Sequence, residues 1–302
     1  MKKILITGSN GLLGAKLVDL IKDNSDYQLI ATSRGENRLA EKEGYQYVSL
    51  DITNREEVLS VIAEQQPHYV INTAAMTNVD QCEDEKEACI ALNVAAVSYL
   101  IEACESNNCF LLHLSTDFIF DGENGPYDEE AVANPLSFYG DSKLQAENLL
   151  LKSSIKWAIA RTVLVYGIAK SLSRSNIILW VKSSLEQSKQ LQIVDDQWRT
   201  PTLAEDLAIG CFKIIEHDAE GIFNISGDEM LTPYDMAMQT VDYFKLDGSF
   251  ITKTDGSKFQ QRAKRPAKTG FNIEKARNTL NYQPRSFTEG IQILDKQLQE
   301  LS

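Results

Sequence analysis

Residues 4–21, "ILITGSNGLLGAKLVDLI", place Gly8, Gly11 and Gly14 between a short apolar run and an amphipathic one. A strand that passes at once into a helix through three glycines has few uses. The first glycine permits the sharp turn, the second lets backbone N–H groups approach an anion with no Cβ between, and the third lets helix and strand pack closely. The partial positive charge of the helix N-terminus then faces that anion. The spacing therefore predicts a pyrophosphate cradle made by Gly8, Asn10, Gly11, Leu12 and Gly14.

Beyond this turn, apolar runs of strand length ("YQLIATS", "HYVINTAA", "CFLLHLS", "KWAIARTVLVYG") alternate with amphipathic segments. Nearly continuous apolar strands need helices on both faces, which predicts an α/β doubly wound parallel Rossmann sheet. Thr53 with Glu56 and Thr202 with Glu205 are spaced as capping boxes, and Thr232 precedes a proline suited to the first helical position. After Gly167 the alternation fades. Residues 1–167 are expected to form the dinucleotide-binding domain and 168–302 mainly a smaller substrate domain, with the segment near 203–226 able to return to the first sheet.

Charge narrows the partners. With 43 acidic and 30 basic residues among 302, the net charge is −13, so nucleic acid and anionic membrane surfaces are repelled and neither is an expected partner. The apolar start "MKKILI" breaks at Thr7-Gly8, too soon for a signal peptide, and no run reads as a membrane span. Five cysteines, an odd number without a close CxxC pair, point to small buried apolar residues in a reducing cytoplasm. No spacing of Asp and Glu singles out a metal cage, so no metal is assigned.

The type of dinucleotide is read at the end of the second strand, where NAD requires a carboxylate for its ribose. Here the chain has Thr32, Ser33 and Arg34, no acid and a cation able to grip a 2′-phosphate; the alternative for Arg34 is a solvated loop. NADP(H) is thus expected over NAD(H). Asp51 and Ile52 close the third strand beside the adenine position, and Ala74 and Ala75 end the fourth with side chains small enough for close passage. Tyr139 and Lys143, four apart in "FYGDSK", share one helix face, where an ammonium would lower the phenol's pKa towards the working range. Thr116, in "STDFIFDG", could offer its hydroxyl to the same substrate oxygen.

Together "TGSNGLLG", "STDFIFDG" and "YGDSK" resemble the extended short-chain dehydrogenase/reductases, and within them the dTDP-4-dehydrorhamnose reductase family. The likeness continues through "DDQWRTPTLAEDLA" and "RPAKTGFNIEKA". It implies a catalytic triad of Thr116, Tyr139 and Lys143, with Tyr139 protonating a ketone as NADPH delivers hydride and Lys143 also holding the nicotinamide ribose. The implied substrate is a 4-keto sugar nucleotide. Phe118 and Leu164 depart from the family's usual Tyr and Trp, and Arg199 from a frequent glycine. Phe118 would face the sugar, while Arg199 and Arg265 would either hold a diphosphate or serve as structural ion-pair partners.

Two other readings stay open: an epimerase or dehydratase of the same superfamily, against which Phe118 counts, and a non-catalytic NADP-binding regulatory subunit like the methionine adenosyltransferase β subunit. The sequence also leaves room for a homodimer. The cofactor assignment has a direct test: calorimetry should show NADPH binding more tightly than NADH, and Arg34→Ala should erase the difference. Equal affinities in the unaltered protein would remove the 2′-phosphate site from Arg34.

Overall fold

The computed structural model describes residues 1–169, 176–258 and 262–301. Its strands are Lys2–Thr7 (β1), Tyr27–Ser33 (β2), Gln46–Ser49 (β3), Tyr69–Asn72 (β4), Phe110–Thr116 (β5), Trp157–Thr162 (β6), Val165–Tyr166 (β7), Leu191–Val194 (β8), Thr202–Leu203 (β9), Gly221–Asn224 (β10) and Ile251–Thr254 (β11). Seven of them form one parallel sheet in the order β10-β6-β5-β4-β1-β2-β3. This is the doubly wound α/β fold. Strand order reverses between β1 and β4, and such a switch point opens a crevice at the carboxyl ends of the strands.

Side chains that alternate along each strand feed two cores. Ile4, Ile6, Leu29, Ala31, Ile71 and Leu112 point into one; Leu5, Ile30, Val70 and Leu111 point into the other. The first core is covered by Leu12–Ile21 (α1), and the second by Arg55–Gln65 (α2), as well as by elements later in the chain. Val79–Asp84 (α3) leads into a continuous helical run, Lys86–Ile90 (α4), a π-helical turn at Ala91–Ala95 and Ala96–Asn107 (α5). That run of 22 residues has the length and mean hydropathy of a membrane span. Ala96, Val97, Leu100 and Cys104 nevertheless bury in the second core beside Phe138–Leu151 (α6).

The remaining helices are Ile177–Glu186 (α7), Ala204–Glu216 (α8), Pro233–Phe244 (α9), Glu274–Leu280 (α10) and Phe287–Leu301 (α11). α8 packs on α1, while α7, α9 and α11 enclose two smaller apolar clusters with the ribbons β7-β9 and β8-β11. All five cysteines are buried and unpaired.

Two of the three expected caps are elsewhere. α2 is capped by Asn54, whose side chain accepts from the Glu56 and Glu57 amides, while Thr53 lies one residue before the cap and donates its hydroxyl to Asp51 at 2.7 Å. Leu203 precedes α8, and Thr202, part of β9, donates instead to the Val163 carbonyl at 2.7 Å. Thr232 does cap α9 in a reciprocal box with Asp235, with Pro233 at the first turn.

The glycine turn is tight at two of its three positions. Gly8 has φ +67°, and a Cβ there would lie 2.9 Å from the Ala74 amide nitrogen. A Cβ on Gly14 would stand 2.4 Å from the Gly8 carbonyl oxygen and 2.7 Å from the Ser9 Cα, whereas one on Gly11 would meet only that carbonyl oxygen, at 3.1 Å. Gly14→Ala should therefore cost on the order of 1–3 kcal/mol in chemical denaturation, because the obstacle is backbone. Gly11→Ala should cost clearly less, and equal losses would contradict the packing described.

Candidate functional site

At the carboxyl end of β1 the chain is stitched to both neighbours before it enters α1. The Ser9 amide donates to the Thr32 carbonyl at 2.9 Å, and the Thr73 hydroxyl donates to the Thr7 carbonyl at 2.6 Å. Asn10 anchors the loop after β2, its Nδ2 donating to the Glu36 carbonyl and its Oδ1 accepting from the Arg38 amide, each at 2.9 Å. α1 begins at exposed Gly11 with no side-chain cap and no acid in its first turn, and Leu12 follows half-buried. The first amides of the helix are thus left to whatever anion approaches.

Beside this turn, Ser33 ends β2 with its carbonyl taken by the Leu50 amide. Arg34 projects outward, its side chain 83% exposed and 4.0 Å from Asp51. Partial burial pushes the Asp51 carboxyl up, but hydrogen bonds from the Thr53 side chain and amide, with the charge of Arg34, hold it below its ordinary value. Ile52 is buried in the second core, and Ala74 and Ala75 follow β4 half-buried.

α6 carries the reactive candidates. Its N-terminus is capped by the Ser137 hydroxyl, which accepts from the Gly140 amide at 3.2 Å. The residue between the tyrosine and the lysine has to be small, because a Cβ on Gly140 would fall 2.1 Å from the Phe118 carbonyl oxygen. One turn beyond Lys143, Glu147 accepts a bidentate, buried pair from Arg161 of β6 at 3.1 and 2.8 Å, fixing the helix to the sheet. Tyr139, Lys143 and Thr116 are all buried. Phe118 meets the Tyr139 ring edge to face, with centroids 5.8 Å apart.

Around them lies a polar network that sequence reasoning missed. Asn93, in the π-helical turn, clamps the loop after β4 by accepting from the Met76 amide at 2.8 Å and donating to its carbonyl at 3.1 Å; it also donates to Ser142 at 3.0 Å. Lys143 Nζ is 3.0 Å from His113 Nε2, His113 Nδ1 is 3.1 Å from Asn72 Nδ2, and the Thr7 hydroxyl donates to Asn72 Oδ1 at 2.6 Å. Thr116 donates to Asp117 at 3.1 Å, and Thr269 donates to the same carboxylate. A single histidine within a strand, or a single asparagine in a strand or helix, carries no spacing signal.

Of the two arginines offered for a diphosphate, Arg199 is a structural partner here. It is buried, donates to the carbonyls of Trp198, Pro266 and Ala267 at 2.8, 2.7 and 3.2 Å, and lies 3.7 Å from Asp117. Arg265 grips Asp80 through its two terminal guanidinium nitrogens, at 3.2 and 2.7 Å, and lines a cavity of about 360 Å³ with Leu136, Asp196 and Lys264.

Residues 1–300 match the family described as RmlD substrate binding domain. A dTDP-4-dehydrorhamnose reductase of Aggregatibacter actinomycetemcomitans is 33% identical over 96% of this chain and 97% of its own length. Methionine adenosyltransferase 2 subunit beta of Bos taurus is 30% identical over 83% of this chain and 74% of its own. The crystal structure of the Bacillus anthracis dTDP-4-dehydrorhamnose reductase in complex with NADP superposes with a TM-score of 0.86, at 26% identity, covering 98% of this chain and all of that one.

Electrostatics at α6 departs from the sequence expectation. Burial pushes the Tyr139 phenol well up, Thr116 pulls it part of the way back, and Asp117, Cys82 and Cys89 push with the burial. The ammonium expected to lower the phenol is directed at His113 instead. Lys143 itself is lowered from 10.5 to about 8, chiefly by burial and against the pull of Glu147. Below pH 8 the folded chain therefore carries the whole cost of that buried charge. Between about 8 and 10.5 the unfolded chain binds more protons than the folded one, and the cost fades. Lys143→Met should accordingly be the more stable protein at pH 7, by up to about 3 kcal/mol, with the gap closing as pH rises to 10.5. A gap that does not change with pH in paired denaturation curves would contradict this.

Proposed function

Because the chain belongs to the RmlD substrate-binding-domain family, within the extended short-chain dehydrogenase/reductases, we propose that it is an NADPH-dependent reductase of a 4-keto sugar nucleotide, with Tyr139 as proton donor. One observation carries this reading beyond the family. A buried tyrosine that keeps its proton at neutral pH stands beside Thr116, on a helix fixed to the sheet whose switch point lies at the glycine turn.

The residues present fit a dinucleotide. Gly11 is exposed and puts no Cβ at the N-terminus of α1, α1 has no side-chain cap, and the Ser9 hydroxyl is buried without a partner among the described residues. When bound, the nicotinamide supplies hydride. Tyr139 holds the proton that a ketone oxygen takes as it gains charge, and Thr116 offers a hydroxyl to that oxygen. Lys143 holds the cofactor ribose from the same helix face. Phe118 forms an apolar wall next to the phenol, while Lys264 and Arg265, the latter shared with Asp80, are the cations beside Asp196 in the cavity near 360 Å³ and would meet a diphosphate there.

A second reading, a nucleotide-binding regulatory subunit, is supported by the relatives that bear the methionine adenosyltransferase subunit name. The two readings separate at Tyr139. Tyr139→Phe keeps the ring and removes the proton, so NADPH affinity should hold while the rate on 4-keto sugar nucleotides falls by about 10²- to 10⁴-fold. If wild type reduces none of them, the regulatory reading prevails. If Tyr139→Phe keeps its full rate, the proton comes from another group.

A further inference from the structure

Lys143 does not end the polar network of α6. Behind it His113, Asn72 and Thr7, buried to within 1% of full enclosure, form a line through β5, β4 and β1 that stops at the glycine turn. Every member is held by the next, and the donors and acceptors along the line are countable. Thr7 donates to Asn72 Oδ1, so the Asn72 amide turns its Nδ2 to His113 Nδ1, which must accept. A neutral imidazole then carries its hydrogen on Nε2, aimed at Lys143 Nζ 3.0 Å away. An ammonium has donors only, and could not accept it; an amine could.

The three links of the line can also run with the opposite polarity. With the Asn72 amide turned by half a revolution, Oδ1 accepts from His113 Nδ1–H, Nδ2 donates to the Thr7 hydroxyl, and His113 Nε2 accepts from a lysine ammonium. Passing from the first arrangement to the second takes up one proton from solvent on Lys143. The imidazole stays neutral, losing its Nε2 hydrogen and gaining one on Nδ1 by exchange.

We propose that His113, backed by Asn72 and Thr7, is a positioning residue for Lys143, and that its tautomer is set by the charge on that lysine. The proposal rests on the reading of Tyr139 and Lys143 as functional residues, although its geometry does not. The charged or titratable groups that act on Lys143 are Glu147 on its own helix, Cys89 from α4 and His113 from β5. Glu147 is already neutralised by Arg161. Burial and the neighbouring lysine both hold His113 far below its ordinary pKa, which keeps the imidazole neutral in either arrangement.

The first test needs no cofactor. In ¹⁵N NMR of the imidazoles of the cofactor-free protein, the chain's three histidines can be assigned by substitution. His113 should carry its hydrogen on Nδ1 at pH 6–7 and on Nε2 above pH 9, with a midpoint near 8. Lys143→Met should abolish the change. One tautomer throughout, or a change that survives Lys143→Met, overturns the proposal whether or not the protein is a reductase.

The second test reads catalysis. Hydrogen bonds to a charged donor are about twice as strong as neutral ones, so removing the imidazole costs the ammonium more than the amine. His113→Leu should move the alkaline limb of the kcat profile down by on the order of one pH unit. His113→Gln, whose amide can face the lysine with either atom, should return it towards wild type. A limb that moves equally in both variants would make His113 a packing residue only. Absence of turnover in wild type would count against the reductase reading and leave the NMR result to decide this one.

Discussion

The close approach of three backbones at the end of β1 is the constraint on which the rest of the molecule depends. The turn, the start of α1 and the end of β4 occupy a space in which Gly8 and Gly14 leave no room for a Cβ. Hydrogen bonds from Ser9 to β2 and from Thr73 back to β1 hold the turn at the switch point of the sheet. Its direct consequence is an uncapped helix end aimed into the crevice. In a chain of net charge −13, any attraction for an anion here has to come from this local geometry and not from the overall field.

The second fixed point is α6. Gly140 lets it lie against the Phe118 carbonyl, and the buried Glu147–Arg161 pair ties it to β6. A buried pair of this kind is weak evidence for net stability, because desolvation offsets much of the attraction. Its value here is orientation. Lys143 lies about one turn and Tyr139 about two turns before Glu147, and both inherit its placement.

How much of this was legible in the sequence depends on whether a residue's role was local. The glycine turn, the parallel sheet and the Thr232 cap follow from neighbours a few positions apart, and the structure has them. Thr53 and Thr202 satisfied the same local rule and failed it. Their hydroxyls found Asp51 and the Val163 carbonyl, the second of which only the folded chain brings near. The tyrosine–lysine spacing was legible; the direction of the lysine was not, since His113 lies 30 residues away on another element. Arg199 shows the same limit, because the carbonyls that occupy it come mostly from residues 266 and 267.

That arginine has a mechanical consequence. Its guanidinium joins the segment at 266–267 to Asp117, next to Thr116 at the floor of the cleft, and Asp117 also receives Thr269 from the same segment. Pulling these groups apart would strand a carboxylate and a guanidinium in an apolar interior, at a cost of several kcal/mol. Arg199 is therefore a tie in the fold: the segment at 266–269 and the end of β5 are held to one another through it and through Asp117, and can shift only together.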